Sequence, residues 1–245
     1  MKIWGITEST IDFNGRVSLV IFMAKCPLLC PYCHNSETFN DSKDMELSEV
    51  FEMIDSVVDF IDAVVISGGE PLLQLRDVKK IFKYAKSLNL ETKLDTCACY
   101  PEKLDEVLDL GLVDYVAMDV KAPFDKYDTL IKTRKSPKYN LLEKDLGENV
   151  KKSMDIVNKS EDTFLECRTT YVPKLMSHED IIKIAHEIDC DSYVLQQFRN
   201  RVVHNPELKN IENPKPSELE EIAKKIKPYF ESIRIKTAEF GEELI

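Results

Sequence analysis

The sequence lacks any hydrophobic run long enough to cross a membrane, which takes about 18 or more apolar residues. The longest apolar run, over residues 17–24, has the length of a buried strand. The acidic residue Glu8 interrupts the N-terminal segment before an apolar stretch typical of an export signal develops. We therefore expect a cytoplasmic protein that does not have a membrane as a partner.

Positive charge is also in short supply. The 245 residues include 33 Lys and Arg against 44 Asp and Glu, which gives a net charge of −11. A general nucleic-acid binder needs a basic face to displace counterions from phosphates, so this balance argues against nucleic acid as a partner. A basic pocket inside an acidic shell would still be compatible with the same net charge.

Glycine is scarce, and its few positions are informative. Only seven occur, and two are adjacent at Gly68 and Gly69, where we expect the backbone to approach another group closely. The seven cysteines are an odd number, and a reducing cytoplasm would not use them as a disulfide framework. Cys26, Cys30 and Cys33 fall within eight residues, and this clustering indicates metal or redox chemistry.

Short apolar runs alternate with segments of helical periodicity along most of the chain. Strands are predicted over residues 17–23, 63–66, 92–96, 115–120, 163–172, 193–197 and 233–236. Helices are predicted over residues 50–61, 78–88, 101–110, 150–157, 180–188 and 219–230. About six strand–helix units favour an α/β fold with a parallel sheet, a partial (β/α)6 TIM-like barrel. Residues 1–245 are taken as one domain, with a core at about residues 10–200 and a C-terminal helix and strand over residues 215–237.

In parallel barrels the functional groups collect on the loops that follow the carboxyl ends of the strands. The cysteine loop falls there, as do the turn at Gly68, Gly69 and Glu70 and the strand end at Asp119 and Lys121. Alternation along a strand places residues 119 and 121 on the same face. These three segments are therefore predicted to meet at one end of the barrel.

The cysteine loop has the spacing C-x3-C-x2-C, with Tyr32 directly before the last cysteine. Three thiolates on one short loop can hold three corners of a cubane iron–sulfur cluster and leave the fourth iron open to a substrate. The same residues also match two other motifs. Cys30 and Cys33 form the C-x-x-C pair of thiol–disulfide oxidoreductases, and together with His34 they form the attachment motif of c-type haem. The three cysteines and a fourth ligand could also hold zinc, which would make the chain a zinc-binding module.

The cysteine loop, the Ser-Gly-Gly-Glu-Pro segment at residues 67–71 and the barrel pattern resemble the radical S-adenosylmethionine (SAM) superfamily. Within it, the chain is similar to the activating enzymes of glycyl-radical enzymes. Residues 11–16 and 30–35 resemble the activating proteins of anaerobic ribonucleoside-triphosphate reductases in particular. The resemblance implies that Cys26, Cys30 and Cys33 ligate a [4Fe–4S] cluster and that SAM chelates the remaining iron.

The same resemblance implies a set of cofactor contacts. The expected SAM contacts are Tyr32, His34, Gly68, Gly69, Glu70, Asp119 and Lys121. Tyr32 would lie against the adenine, and the glycine turn with Glu70 would accept hydrogen bonds from the SAM ammonium. Asp95, Thr96 and Arg168 match further family positions, whereas Gln197 and Arg199 stand where the family pattern is not kept.

These further positions have separate expected roles. Asp95 and Thr96 would join Asp119 in holding a monovalent cation near the SAM carboxylate, although residues 97–99 depart from the family pattern. Arg168 would point into the barrel. Gln197 or Arg199 would take the place of a histidine that lies near the ribose in some activating enzymes.

The resemblance implies a reductive radical reaction. An electron from a ferredoxin- or flavodoxin-type donor would cleave SAM, and the 5′-deoxyadenosyl radical would take a hydrogen atom from the Cα of a glycine in a partner glycyl-radical enzyme. A radical SAM enzyme for a small molecule or a modified nucleobase is the alternative. Segment 123–147 is expected to be a mobile loop, and its basic residues predict a docking surface for an acidic partner. These basic residues are Lys132, Arg134, Lys135 and Lys138.

Overall fold

The alternating pattern folds into one large mixed sheet in the computed structural model, which describes residues 1–36, 42–136, 139 and 145–245. The strands are β1 (Lys2–Ser9), β2 (Ser18–Met23), β3 (Leu28–Leu29), β4 (Lys43–Asp44), β5 (Ala63–Gly68), β6 (Glu91–Thr96), β7 (Tyr115–Asp119), β8 (Lys132–Thr133), β9 (Phe164–Tyr171), β10 (Ser192–Gln197), β11 (Ile233–Thr237) and β12 (Gly241–Leu244). The helices are α1 (Leu47–Val57), α2 (Leu75–Ser87), α3 (Pro101–Leu108), α4 (Tyr127–Leu130), α5 (Leu146–Val157), α6 (His178–Glu187) and α7 (Pro216–Ile226).

The parallel strands lie side by side in the order β2, β5, β6, β7, β9, β10, β11, which is also their order along the chain. Helices connect successive strands, so the units from β2–α1 to β10–α7 confirm the predicted partial (β/α)6 barrel. The sheet remains open in the described residues, with β12 at one edge and β4 at the other. The Lys236 Nζ of β11 donates to the Ile11 carbonyl oxygen at 3.3 Å, so the loop after β1 reaches across the open side.

The sequence-based prediction missed the antiparallel strands at the two sheet edges. β1 pairs with β2, and β12 pairs with β11. β1 carries only one fully buried side chain, Ile3, and β12 is exposed along its whole length. An edge strand of this kind has no compact apolar run, and its identity depends on hydrogen bonds to a neighbouring strand.

The expectation of a mobile loop over segment 123–147 is wrong for its described residues. The segment contains α4 and β8, and β8 pairs antiparallel with β3, so that Leu28 faces Thr133. The Arg134 backbone N–H also donates to the Pro27 carbonyl oxygen at 2.7 Å. The basic segment therefore supports the cysteine loop. Lys138 lies outside the described residues.

Successive side chains along a strand point to opposite faces of the sheet, and here the two faces differ in polarity. On β9, Leu165 and Cys167 are fully buried in the apolar cluster that includes the helices, whereas Glu166 and Arg168 lie on the other face. This inner face carries a small apolar cluster around Val20 and Val65 on β2 and β5. On the later strands it is ionic, with Glu166 paired to Arg234 at 2.5 Å. The barrel interior therefore presents charged groups near the carboxyl ends of the strands. No helix in the described ranges is both long and apolar enough to span a membrane.

Candidate active site

A cleft with a volume of about 250 Å³ lies at the carboxyl ends of the parallel strands. The cleft is lined by the predicted residues Cys26, Cys30, Cys33, Tyr32, His34, Gly68, Gly69, Asp119, Lys121 and Arg168. The predicted residues Glu70, Asp95, Thr96, Gln197 and Arg199 do not line it. The structure therefore brings the cysteine loop, the glycine turn and the β7 strand end together, as their positions after parallel strands predict.

The cysteine loop is held by backbone hydrogen bonds at both short and long range. The Cys33 N–H donates to the Cys30 carbonyl oxygen at 3.2 Å, and the two residues of β3 pair with β8. Cys26 and Cys30 are buried, and Cys33 is half-buried. The loop thus turns three thiols towards one cleft while its backbone remains bonded.

Burial makes these thiols poor acids in the metal-free chain. Burial raises the pKa of Cys30 to about 12 and that of Cys33 to about 11. Contact with Cys97, together with burial, raises the pKa of Cys26. The thiols therefore keep their protons near neutral pH until a metal displaces them, so cluster loading should release protons.

The donor set fits an iron–sulfur cluster. Within the described ranges, no three His, Cys, Asp or Glu side chains surround a position for one metal ion. A single ion needs all its ligands at one point, whereas a cubane takes one thiolate at each of several irons. Cys26, Cys30 and Cys33 all line the open cleft, and soft thiolates are the ligands that iron–sulfur clusters take.

The two adjacent glycines are required by the approach of the β5 end to the cysteine loop. Gly68 has a φ of +109°, and a Cβ there would lie 2.3 Å from the Met23 carbonyl oxygen. A Cβ on Gly69 would lie 2.1 Å from the Lys25 carbonyl oxygen. The expected close approach is confirmed, and the group approached is the backbone that leads into Cys26.

Glu70 is fully buried and does not line the cleft. Its carboxylate oxygens accept from the Leu72 N–H at 2.9 Å, the Thr96 hydroxyl at 3.0 Å and the Cys97 N–H at 2.8 Å. Burial raises the pKa of Glu70, and these donors oppose that effect. In this structure Glu70 and Thr96 join the glycine turn to the end of β6, and their contact with SAM stays a prediction.

Replacing Glu70 by alanine should therefore destabilise the fold. The change leaves two buried backbone N–H groups and a hydroxyl without their acceptor, which should lower the free energy of unfolding by roughly 1–3 kcal/mol. Urea denaturation of anaerobically purified protein would measure the loss. Glu52→Ala, at an exposed position on α1, is the matched control and should change little. Equal stability of the two variants would contradict the structural role of Glu70.

A charged cluster lies at the cleft, which three of its members, Asp119, Lys121 and Arg168, line. Arg168 lies between two carboxylates, with its Nε 2.9 Å from Asp119 Oδ1 and its Nη1 3.2 Å from Asp95 Oδ2. The Lys121 Nζ lies 3.0 Å from the other oxygen of Asp119. Ser67 completes the cluster by donating to Asp95 at 2.8 Å.

The cluster keeps its carboxylates ionised despite burial. Burial alone would raise the pKa of Asp119, but Arg168 and Lys121 lower it to about 2. Burial likewise opposes ionisation of Asp95, and Arg168 with Lys93 lowers its pKa. Two neighbouring carboxylates, Asp95 and Asp119, need a positive charge between them, and the Arg168 guanidinium supplies that charge in this structure. A bound cation stays a prediction.

The remaining predicted residues lie around the cleft in different ways. Tyr32 is buried, and its hydroxyl donates to the Lys121 carbonyl oxygen at 3.4 Å, so its ring borders the cleft. His34 lines the cleft from the same loop. Gln197 instead bonds the Pro214 carbonyl oxygen at 2.9 Å, and Arg199 lies in a neighbouring pocket.

Several cleft residues were missed by sequence reasoning. Thr170, Gln196, Lys236, Asp12 and Cys97 also line the cleft. The period of two could have found Thr170, which follows Arg168 on the same face of β9. No local signal marks Asp12 or Lys236, because the open side of the sheet brings these two together from opposite ends of the chain.

Comparison with known proteins identifies the family of this chain. The model of the radical SAM superfamily matches residues 20–188. A putative glycyl-radical enzyme activating enzyme of Methanocaldococcus jannaschii is 42% identical over 239 residues, covering 95% of both chains. The pyruvate formate-lyase-activating enzyme of Listeria monocytogenes is 33% identical over 128 residues, 47% of this chain and 50% of that one.

The fold is also found in solved structures. Streptococcus suis SuiB, in a crystal structure with its precursor peptide SuiA, superposes with a TM-score of 0.63. The match covers 86% of this chain and 45% of SuiB at 16% identity, so it shows the fold alone. The chain therefore belongs to the radical SAM superfamily, among the glycyl-radical enzyme activating enzymes, and is an enzyme that uses a [4Fe–4S] cluster and SAM.

Proposed function

We propose that this enzyme generates a glycyl radical on a partner protein. The observation that carries the proposal is the convergence of three thiols on one open cleft, in a chain 42% identical over 95% of its length to a putative activating enzyme. When bound, the cluster and SAM supply the reductive cleavage that removes a hydrogen atom from the Cα of a glycine. Residues 1–245 would act as one radical SAM domain in the cytoplasm.

The chain's own residues hold and orient these groups. Cys26, Cys30 and Cys33 would hold the cluster, and the buried ring of Tyr32 would border the SAM adenine. Lys121 keeps its positive charge, because Asp119 and Cys30 raise its pKa well above the ordinary value although burial opposes them. Its ammonium is therefore suited to bind a carboxylate, and we assign it to the carboxylate of SAM.

A protein substrate is favoured by what the sequence contains after the cysteine loop. No cysteine falls between Cys33 and Cys97, so the chain carries no inserted domain with auxiliary clusters there. A barrel with little added structure suits a large partner that covers its open side. We propose anaerobic ribonucleoside-triphosphate reductase as that partner, and a ferredoxin- or flavodoxin-type protein as the electron donor. The docking role of the basic segment stays a prediction.

The test is anaerobic reconstitution with iron, sulfide, SAM and a reductant, followed by electron paramagnetic resonance. A glycyl-radical signal should appear only when a glycyl-radical protein of the source organism is added. Formation of 5′-deoxyadenosine without partner would show that the enzyme is active. Active enzyme that gives no glycyl signal with any of those proteins would contradict the proposal, and would favour a small-molecule substrate.

Lys121→Ala should weaken SAM binding without loss of the cluster. The variant removes one charge-assisted hydrogen bond, which should cost roughly 1.5–3 kcal/mol of binding free energy. That loss corresponds to about a 10- to 150-fold increase in the Kd for SAM. Equilibrium binding and iron analysis would measure the two properties separately. Lys83→Ala, at an exposed position on α2, is the matched control. An unchanged Kd in Lys121→Ala would remove the assignment of Lys121 to SAM.

A further inference from the structure

A second cavity opens directly beside the cleft. It has a volume of about 320 Å³ and is lined by His34, Thr170, Gln196, Gln197, Arg199 and Lys236. His34, Thr170, Gln196 and Lys236 also line the cleft, so the two spaces share a wall. We call this cavity the side pocket. A group bound in it would lie next to the place where the cluster and SAM are held.

Among the residues that the structure describes, the charged side chains that line the side pocket are the cations Arg199 and Lys236. Arg199 and Lys236 form no ion pair with any residue in the described ranges, whereas Lys121 and Arg168 each pair with Asp119 in the cleft. The pocket thus collects two uncompensated cations in a protein whose net charge is −11.

The acids nearest along the chain have other partners. Glu242 is opposite Lys236 across the β11–β12 pair, but its carboxylate pairs with Arg234 at 2.8 Å. Glu239 accepts a hydrogen bond from the Gln197 side chain at 3.0 Å. Lys236 itself donates to the Ile11 carbonyl oxygen. Asp12, which lines the cleft together with Lys236, accepts a hydrogen bond from the Ser9 hydroxyl at 2.5 Å. Positive groups that face a shared cavity without a counter-charge favour an anion between them.

We propose that the side pocket binds the carboxylate of an Asp or Glu side chain in the partner segment that carries the reacting glycine. The proposal rests on the proposed function, because it takes the substrate to be a protein, whose anionic side chains are carboxylates. Guanidinium and ammonium groups both form charge-assisted hydrogen bonds with carboxylates. Because the protein as a whole carries a net charge of −11, this local attraction would hold an acidic segment in one register, with its glycine at the cleft.

The experiment measures the binding of synthetic peptides to the reconstituted enzyme in the presence of SAM. The parent peptide has a central glycine flanked by glutamine, and each member of the series replaces one glutamine by glutamate. We expect at least one glutamate position to bind about tenfold tighter than the parent. Arg199→Glu should remove that gain. The matched control is Arg201→Glu, an exposed position two residues further along the chain, which should bind like wild type.

Three results would overturn the proposal. One is a series in which no glutamate position improves binding, including a series in which no peptide binds. The second is equal loss in the Arg199 and Arg201 variants, which would indicate a general charge effect. The third is a raised Kd for SAM in Arg199→Glu, which would place Arg199 on the cofactor. Peptide binding involves no radical step, so its failure is distinguishable from a missing glycyl signal.

Discussion

Alanine at Cys26, Cys30 or Cys33 is expected to lower bound iron to background and to abolish formation of 5′-deoxyadenosine. Each thiol would ligate a different iron, so the loss of one opens a second iron and leaves the cluster on two ligands. Iron and sulfide analysis after anaerobic reconstitution would measure the cluster. Chromatographic assay of 5′-deoxyadenosine would measure the reaction.

The other cysteines provide matched controls. Cys190 lies half-buried outside the cleft, so Cys190→Ala should retain iron and activity. Cys97 is the sharper control, because it also lines the cleft and contacts Cys26. We expect Cys97→Ala to keep its iron, since the spacing of the cluster motif does not include it. Loss of the cluster in Cys97→Ala would show that the ligand assignment is wrong.

Arg168→Met is expected to lower the free energy of unfolding by about 3 kcal/mol near neutral pH, because it removes the counter-charge shared by the buried Asp95 and the half-buried Asp119 and leaves each with only one lysine. The Arg168 side chain is only 15% exposed and reaches both Asp119 and Asp95. Urea denaturation of wild type and variant would measure the difference. Arg76→Met, at an exposed position on α2, should change stability by less than about 0.5 kcal/mol.

The effect of Arg168 should depend on pH in a defined direction. Its neighbours lower the pKa of Asp119 from 3.8 to about 2, so the stabilisation is complete above the ordinary pKa and is lost as pH falls towards about 2. The difference between wild type and Arg168→Met should therefore shrink on acidification below about pH 4. Adding Asp119→Asn to the variant should recover part of the loss near neutral pH. A difference that is constant with pH, with no recovery, would contradict the counter-charge role.

The cluster loop and the strand order were predictable because their signals are local. The spacing of Cys26, Cys30 and Cys33 requires only one short loop, and soft thiolates define the chemistry that it supports. Alternating strand and helix periods predicted the parallel sheet, and the rule for strand ends predicted that Gly68 and Asp119 would share the cleft. Each of these predictions depends either on residues that are close in sequence or on the general rule for the strand ends of parallel sheets.

Only the tertiary structure decided which charged groups meet. The parallel register places Asp119 opposite Arg168, and Asp95 lies one strand further along. The Glu70 carboxylate accepts hydrogen bonds from Thr96 and Cys97, which the sequence did not predict, because the glycine turn packs against the end of β6. These contacts depend on the pairing of strands that are distant in sequence, which the hydrophobic periodicity within one segment does not predict.

The open side of the sheet shows the same division between sequence and structure. From sequence, the acidic composition left room for a basic pocket but could not locate one. Arg199 and Lys236 share a cavity with His34 because β10 and β11 are parallel neighbours and the cysteine loop lies over their ends. Composition and spacing determined the chemistry that this chain can support. The register of the sheet decided which side chains surround the cleft, because distant segments become neighbours only when the backbone hydrogen bonds between strands are formed.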